Sequence, residues 1–375
     1  MQYRRFGKTE MRLSVFSLGG MRFAGDEANA LKTIYRAIEL GINHIETAKG
    51  YGNSEILIGR AMAQGLGSMR DQVYITTKIP PTATAASMRQ LIDQSLTRLQ
   101  VDYIDNFDLH GVNTWEHYRL ITDPDGCMQA VQSAVAQGLI RHVGFSTHAP
   151  LEVLMALIET DLFSSVNLHY YYFNQRNAPA IALAHAKDMG VFIISPSDKG
   201  GMLHTPSPRL AQLCQPFTPV YINDRFLLAD ERIHTLSLGA GNPQELESHR
   251  RAWEQVGALT PEESTVIARL DRQFHVLGHD RCHQCFQCLP CPEEINIPEM
   301  LRLRNLAMAF DMQEFGKYRY KMFENAGHWF PGRRGNRCTD CGDCLPRCPS
   351  KLDIPILVRN THELLYTEAG KRLWE

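Results

Sequence analysis

Eight of the ten cysteines in this 375-residue chain stand in two tight runs. The first is Cys282, Cys285, Cys288 and Cys291, with Pro292 after it. The second is Cys338, Cys341, Cys344 and Cys348, with Pro349 after it. Three thiols at every third position can wrap one compact inorganic core. A fourth, set before a proline, turns the chain away from that core. The other two, Cys127 and Cys214, are the only cysteines in the first 281 residues. One part of the chain is nearly free of cysteine and another is a cysteine site, which predicts two domains, 1–275 and 276–375. Three bland readings stand beside this one. Free structural thiols do not cluster in this way. Disulfides are disfavoured in a reducing compartment. Zinc pairs usually stand on separate knuckles, with a dozen or more residues between them.

The spacing resembles the bacterial ferredoxin run that holds four-iron four-sulfur clusters. The second run matches it fully, and the first is one residue short before its last cysteine. A short repeat adds to this: CPEEINIPEM (291–300) aligns with CPSKLDIPIL (348–357). Pro298 and Pro355 fall at equivalent places and suit the first turn of a helix, where the missing N–H is not needed. Each half therefore reads as cysteine run, Cys-Pro, then helix, giving a small all-helical ferredoxin-like domain with two [4Fe-4S] clusters. In two-cluster modules of that kind the fourth cysteine ligates the other cluster. The resemblance implies Cys282, Cys285 and Cys288 with Cys348, and Cys338, Cys341 and Cys344 with Cys291.

Composition adds mainly exclusions. With 44% apolar and 21% charged residues, the chain is neither disordered nor fibrous. Lys+Arg 39 against Asp+Glu 41 argues against a globally basic nucleic-acid binder. No apolar run approaches the ~20 residues of a membrane span. The opening MQYRRFGKTEMRL lacks the apolar stretch of a signal peptide. The expectation is a soluble, cytoplasmic protein.

Over the first 275 residues, short strand-like runs alternate with amphipathic helical ones. The strand candidates are RLSVFSLG, NHIET, VYITTK, IDNFDLH, HVGFS, SSVNLH, VFIISP and HTLSLG. Eight strands alternating with helices over ~250 residues predict a (β/α)8 TIM barrel. A doubly wound open sheet is the alternative, but LGGM after the first strand does not supply the full dinucleotide fingerprint.

Chemistry in such a barrel sits at the C-terminal ends of strands. Glu46, Lys78 and His110 end successive strand candidates, each 32 residues after the last, and Tyr51 follows Glu46 in its loop. A lysine ending VYITTK needs a counter-charge once partly buried, and Glu46 on the neighbouring strand can supply it. A tyrosine close to that cation is expected to have its phenol pKa drawn down, making it a proton donor near neutral pH. Singly, each reads as a charged rim residue or a satisfied core histidine. Together at strand ends they point to a site.

INHIETAKGYGNSE, VYITTKI, FDLHGVN and the opening YRRFGKTEMRLSVFSLGG resemble the aldo-keto reductase family, with its Asp–Tyr–Lys–His tetrad. The whole chain resembles a branch with a C-terminal ferredoxin-like domain. The resemblance implies Tyr51 as general acid or base, Lys78 as the group tuning it, and His110 as the group orienting a carbonyl. It also places Glu46 where the family has Asp, one methylene longer. It carries Ser146, Asn167 and Ser195 toward an NAD or NADP cofactor, together with Gly239, Asn242 and Gln244. Three positions depart from the family pattern: Thr147 for Asn, Asn167 for Gln, and Ile194 for a stacking aromatic. No Lys or Arg lies between Gly239 and Ser248 to grip a 2′-phosphate.

The resulting expectation is an oxidoreductase acting on a small carbonyl or alcohol with NAD(P)H, coupled to or regulated by two clusters. A ferredoxin-linked electron-transfer protein and a redox sensor are the alternatives. A basic bias across 302–351 suits an acidic carrier such as ferredoxin, and equally a solvated charged surface. His148, His169 and His204 read as ordinary loop or strand residues rather than metal ligands.

Overall fold

The computed structural model describes residues 1–23, 26–255 and 257–368. They form two compact units, one of residues 1–200 with 223–258, the other of 201–222 with the chain from Leu259 on.

The first unit opens with a hairpin of β1 (Tyr3–Arg5) and β2 (Arg12–Ser14). Eight parallel strands follow: β3 (Phe16–Gly19), β4 (His44–Glu46), β5 (Tyr74–Ile79), β6 (Ile104–Leu109), β7 (Ile140–Ser146), β8 (Ser165–Leu168), β9 (Gly190–Ile193) and β10 (Thr235–Leu238). They close in the order β10-β3-β4-β5-β6-β7-β8-β9, the expected (β/α)8 barrel. RLSVFSLG, read as one strand, divides in two. Ser14 donates its backbone N–H to Asn43 Oδ1 at 2.7 Å and its hydroxyl to Phe16 O at 2.6 Å. Those bonds separate the hairpin from the barrel.

Each barrel strand alternates by the two-residue period of extended chain. Ile45, Ile75, Phe107, Phe145, Val166 and Leu236 are fully buried apolar positions. The residues between them are polar and bond to one another inside the barrel. Ser17 Oγ lies 2.6 Å from His44 Nδ1 and 2.7 Å from Thr235 Oγ1, and His44 Nε2 lies 2.7 Å from Thr76 Oγ1. The interior is thus a hydrogen-bonded layer rather than the branched aliphatic filling common in such barrels. The helices around it start on side-chain caps: Asp26 accepts from Asn29 N, and Thr84 accepts from Ser87 N.

In the second unit the helix Pro261–Gln273 begins with a capping box of Thr260 and Glu263. The sequence repeat becomes a structural one. Helices Ile297–Phe310 and Ile354–Leu365 each carry proline in the first turn, after the caps Asn296 and Asp353. Met300, Leu306, Phe310, Tyr320, Phe323 and Val358 are among its buried residues. Among the described residues, no helix is long and apolar enough to cross a membrane.

Candidate functional site

Glu46 ends β4, Lys78 stands one residue before the end of β5 and His110 directly follows β6, all at one end of the barrel, and Tyr51 lies in the loop after β4. Lys78 is 1% exposed. Its ammonium donates to Glu46 Oε2 and, at 2.9 Å, to the Thr47 carbonyl. The extra methylene of Glu46 is accommodated sideways. Its other oxygen accepts from Ser237 Oγ of β10 at 2.6 Å. That reach passes over Gly19, where a Cβ would stand 2.8 Å from Ser237 Oγ and 3.0 Å from Glu46 Oε1. The Lys78 ammonium sits 5.4 Å from the centre of the Tyr51 ring. The Tyr51 and His110 rings meet edge to face, with centroids 5.6 Å apart. The three side chains read from strand ends and Tyr51 from its loop are brought together.

Their electrostatics differ from the sequence expectation at one place. Burial pushes the Tyr51 phenol up to about 12; Lys78 pulls it down as expected, while Glu46 and Asp108 add to the rise. The cation is itself neutralised by carboxylates, so its pull on the phenol does not prevail. Burial alone would lower Lys78, yet Glu46, Tyr51 and Asp108 together outweigh it and raise it. Burial pushes the His110 imidazole down to about 3, and Lys78 and Lys199 add to that. Lys78 is therefore charged and His110 neutral across ordinary pH, while Tyr51 holds its proton.

The cofactor candidates divide. Ser146 accepts from Gly111 N at 3.1 Å. The Asn167 side chain is 3% exposed, and its Oδ1 is buried with no hydrogen-bond partner among the described residues. Ser195 has a left-handed backbone at φ 44°. Thr147 explains its own departure from the family. Its hydroxyl donates to Val112 O at 2.6 Å and accepts from Ala149 N at 2.9 Å. The hydroxyl ties two strand-end loops together. Asn242 caps the turn Pro243–Glu247 by accepting from Glu245 N at 3.0 Å, and Gln244 is exposed.

Several residues escaped the sequence reading. Arg22, far off in sequence, reaches the turn after β10, donating to Gly239 O at 2.9 Å and pairing with Glu245 at 2.5 Å. Separation along the chain hid it. His148, His169 and Tyr171 form a side-chain series across the ends of β7, β8 and β9. His148 Nδ1 lies 2.9 Å from His169 Nε2, His169 Nδ1 meets Tyr171 Oη, and that hydroxyl donates to Ile194 O at 2.5 Å. Asp108, missed because apolar neighbours mask it in IDNFDLH, lies inside the barrel beside Lys78.

In the second unit cysteines of the two runs come near one another. One cavity, about 360 Å³ with its mouth, is lined by Cys291, Cys338, Cys341 and Cys344 with the apolar Ile295 and Val358. Around the other run, burial pushes the Cys282 thiol up, and Cys285 and Cys348 stand close enough to add to that. The cavity set joins three cysteines of the second run with the last of the first, and Cys348 of the second run stands near Cys282 and Cys285 of the first. Four thiols around an enclosed, largely apolar space fit the ligand set of a [4Fe-4S] cluster.

Comparison with known proteins agrees with both units. The model of the Aldo/keto reductase family matches residues 16–216, and that of the 4Fe-4S dicluster domain matches residues 281–352. An uncharacterized oxidoreductase of Bacillus subtilis (YrpG) is 29% identical over 228 residues, covering 54% of this chain and 68% of that protein. The L-glyceraldehyde 3-phosphate reductase of Escherichia coli K12 is 32% identical over 167 residues, covering 40% of this chain and 46% of that one. Among solved structures, an aldo-keto reductase from Bacillus halodurans in its holo form is similar in fold. Its TM-score is 0.62 at 23% identity, over 72% of this chain and 96% of that one.

Proposed function

Because this chain belongs to the aldo/keto reductase family, and carries a 4Fe-4S dicluster domain, we propose the following reaction for it. The barrel interconverts a small carbonyl and its alcohol with NAD(P)H, and the two clusters exchange electrons with a carrier or regulate the barrel. When bound, the nicotinamide nucleotide supplies or accepts a hydride, and the clusters pass electrons singly. The observation that carries the reading is the meeting of Tyr51, Lys78 and His110 at the barrel end, with Glu46 beneath them.

In the reducing direction Tyr51 gives its proton to the carbonyl oxygen as negative charge develops there. Lys78⁺, fixed between Glu46 and the Thr47 carbonyl, stabilises the phenolate that remains. His110, neutral at working pH, orients the carbonyl by hydrogen bonding and is not the acid. The buried, unpartnered Oδ1 of Asn167 suits an amide N–H of the nicotinamide carboxamide. Ser146 at the end of β7 and Ser195 in the loop just after β9 are the neighbouring polar groups in this reading.

An acidic one-electron carrier is the proposed partner of the dicluster unit. Arg333, Arg334 and Arg337 gather around Glu324 just before Cys338 and leave an excess of positive charge. Elsewhere the basic bias is offset by internal pairs: Arg302 with Glu299, Arg304 with Asp280, and Lys317 with Glu314.

The test is anaerobic purification with iron and sulfide analysis, then titration with NADH and NADPH and a screen of small carbonyls. Nucleotide oxidation with at least one carbonyl is expected, falling 100-fold or more, by order of magnitude, in Tyr51→Phe. Absence of nicotinamide binding by every method would overturn the hydride reading.

A further inference from the structure

Asp108 is a buried carboxyl that the four-residue site does not use. It lies on β6, two residues before His110, and is the cross-strand partner of Lys78 on β5. Lys78 therefore has a carboxyl on each side, Glu46 toward β4 and Asp108 toward β6. The fold makes specific room for it. Asp108 pairs across β6 and β7 with Gly144, where a Cβ would stand 2.4 Å from Asp108 Oδ1 and 2.2 Å from Ser165 Oγ. Any larger residue at 144 collides with the carboxyl. The carboxyl is also oriented. Asn106 Nδ2 donates to Asp108 Oδ1 at 2.8 Å, and Ser165 Oγ of β8 donates to Asn106 Oδ1 at 3.1 Å. Three strands cooperate to hold one carboxyl beside the lysine, although Glu46 already neutralises it.

We propose that Asp108 is a positioning residue for proton transfer at Tyr51: it is a second counter-charge to Lys78, and through Lys78 it sets how firmly Tyr51 holds its proton. The inference rests on the reading of Tyr51 as the proton-transfer residue. The groups facing Asp108 are Lys78 from β5, Glu46 and Tyr51 from β4 and its loop, and Asn106 from its own strand. From β7 and β8 it meets the uncharged Gly144 and Ser165. Burial raises the carboxyl to about 6, Lys78 and Asn106 oppose that, and Glu46 adds to it. Its charge therefore changes in a range where Lys78 and His110 do not change theirs. With Asp108 ionised, the charge of Lys78, paired with Glu46, is opposed by a second carboxylate as well, and Tyr51 holds its proton more firmly. With Asp108 protonated, more of the lysine's field reaches the phenol.

The test uses the full-length protein, purified anaerobically and labelled with ¹³C at tyrosine Cζ, with no nucleotide or carbonyl added. The Tyr51 resonance is identified by its loss in Tyr51→Phe. In the wild-type chain it is expected to show a step between about pH 4 and pH 8, with a midpoint above that of an ordinary aspartate. The step is expected to vanish in Asp108→Asn, to persist in His110→Gln, and to shrink at least twofold in Lys78→Met, a size set by the usual strength of such charge coupling. Should Asp108→Asn not fold, Asp108→Ser serves the same comparison, because it keeps a small acceptor for Asn106. A wild-type resonance with no step, or a step surviving in both Asp108 variants, overturns the proposal. An undiminished step in Lys78→Met overturns the role of the lysine as intermediary. The measurement needs no turnover. A chain that shows the step yet binds no nicotinamide nucleotide overturns the functional reading and leaves the Asp108–Tyr51 link standing.

Discussion

Glu46 grips Lys78 with one carboxylate oxygen and Ser237 with the other, spanning from β4 across β3 to β10. A shorter carboxylate at this place has one methylene less with which to hold both. The departure from the family's Asp therefore comes with its own anchor on the far strand, and the lysine keeps its counter-charge.

Glu46→Gln removes that charge while leaving the shape. Lys78 is then buried with Asp108 as its remaining carboxylate. Breaking a buried pair by removing one partner destabilises by about 3 kcal/mol or more, and this loss is expected in the unfolding of the barrel unit. Thermal unfolding followed by circular dichroism reads it, and an unchanged midpoint would contradict the pairing.

Gly144→Ala places a methyl against Asp108 Oδ1 and Ser165 Oγ. Overpacking of this kind costs about 1–3 kcal/mol. The double variant Gly144→Ala with Asp108→Ala is expected to recover part of the loss, because the clash partner is gone. Strictly additive effects in denaturant titrations would show that the niche is not built around Asp108.

Acid stability carries a sign that identifies Asp108. Its native carboxyl is raised from 3.8 to about 6, so the folded chain binds that proton more tightly than the unfolded one. Its contribution is fully present below about pH 4 and is lost as pH rises through about 6. Relative to Asp108→Asn, the wild-type chain is expected to lose on the order of 2 kcal/mol between those limits. Parallel stability curves for the two proteins would refute it.

The crossed cysteine sets give an asymmetric prediction. Cys348→Ser is expected to disturb the cluster of the first run, and Cys291→Ser that of the second, since each last cysteine stands with the other run. Iron analysis together with low-temperature electron paramagnetic resonance separates the two. If each variant affects only its own run's cluster, the crossing is wrong.

The (β/α)8 barrel, the ferredoxin-like unit and the three strand-end residues with Tyr51 were legible because each is written in local spacing. Alternation of strand and helix gives the barrel. Cysteines three apart give the cluster ligands, and a 32-residue step sets Glu46, Lys78 and His110 at one level. Boundaries were less legible. RLSVFSLG broke at Ser14 because a side chain from Asn43 took its N–H. The helical stretch after β9 divides into Pro208–Cys214 and Pro219–Leu228, since Pro216 and Pro219 interrupt the ladder.

The sequence by itself determined which chemistries this chain carries, because residue type and spacing are local properties. The tertiary structure alone decided how those groups are tuned. Whether Lys78 lowers the Tyr51 phenol depends on the desolvation around both and on carboxylates from other strands, and there burial prevails. The hydroxyl of Thr147 went to a neighbouring loop, and Arg22 reached Gly239 from the opposite end of the barrel sequence. Asp108 became a partner of Lys78 because β6 lies beside β5. Electrostatic energies act through space in a medium set by every neighbour, and closure of the barrel chooses those neighbours.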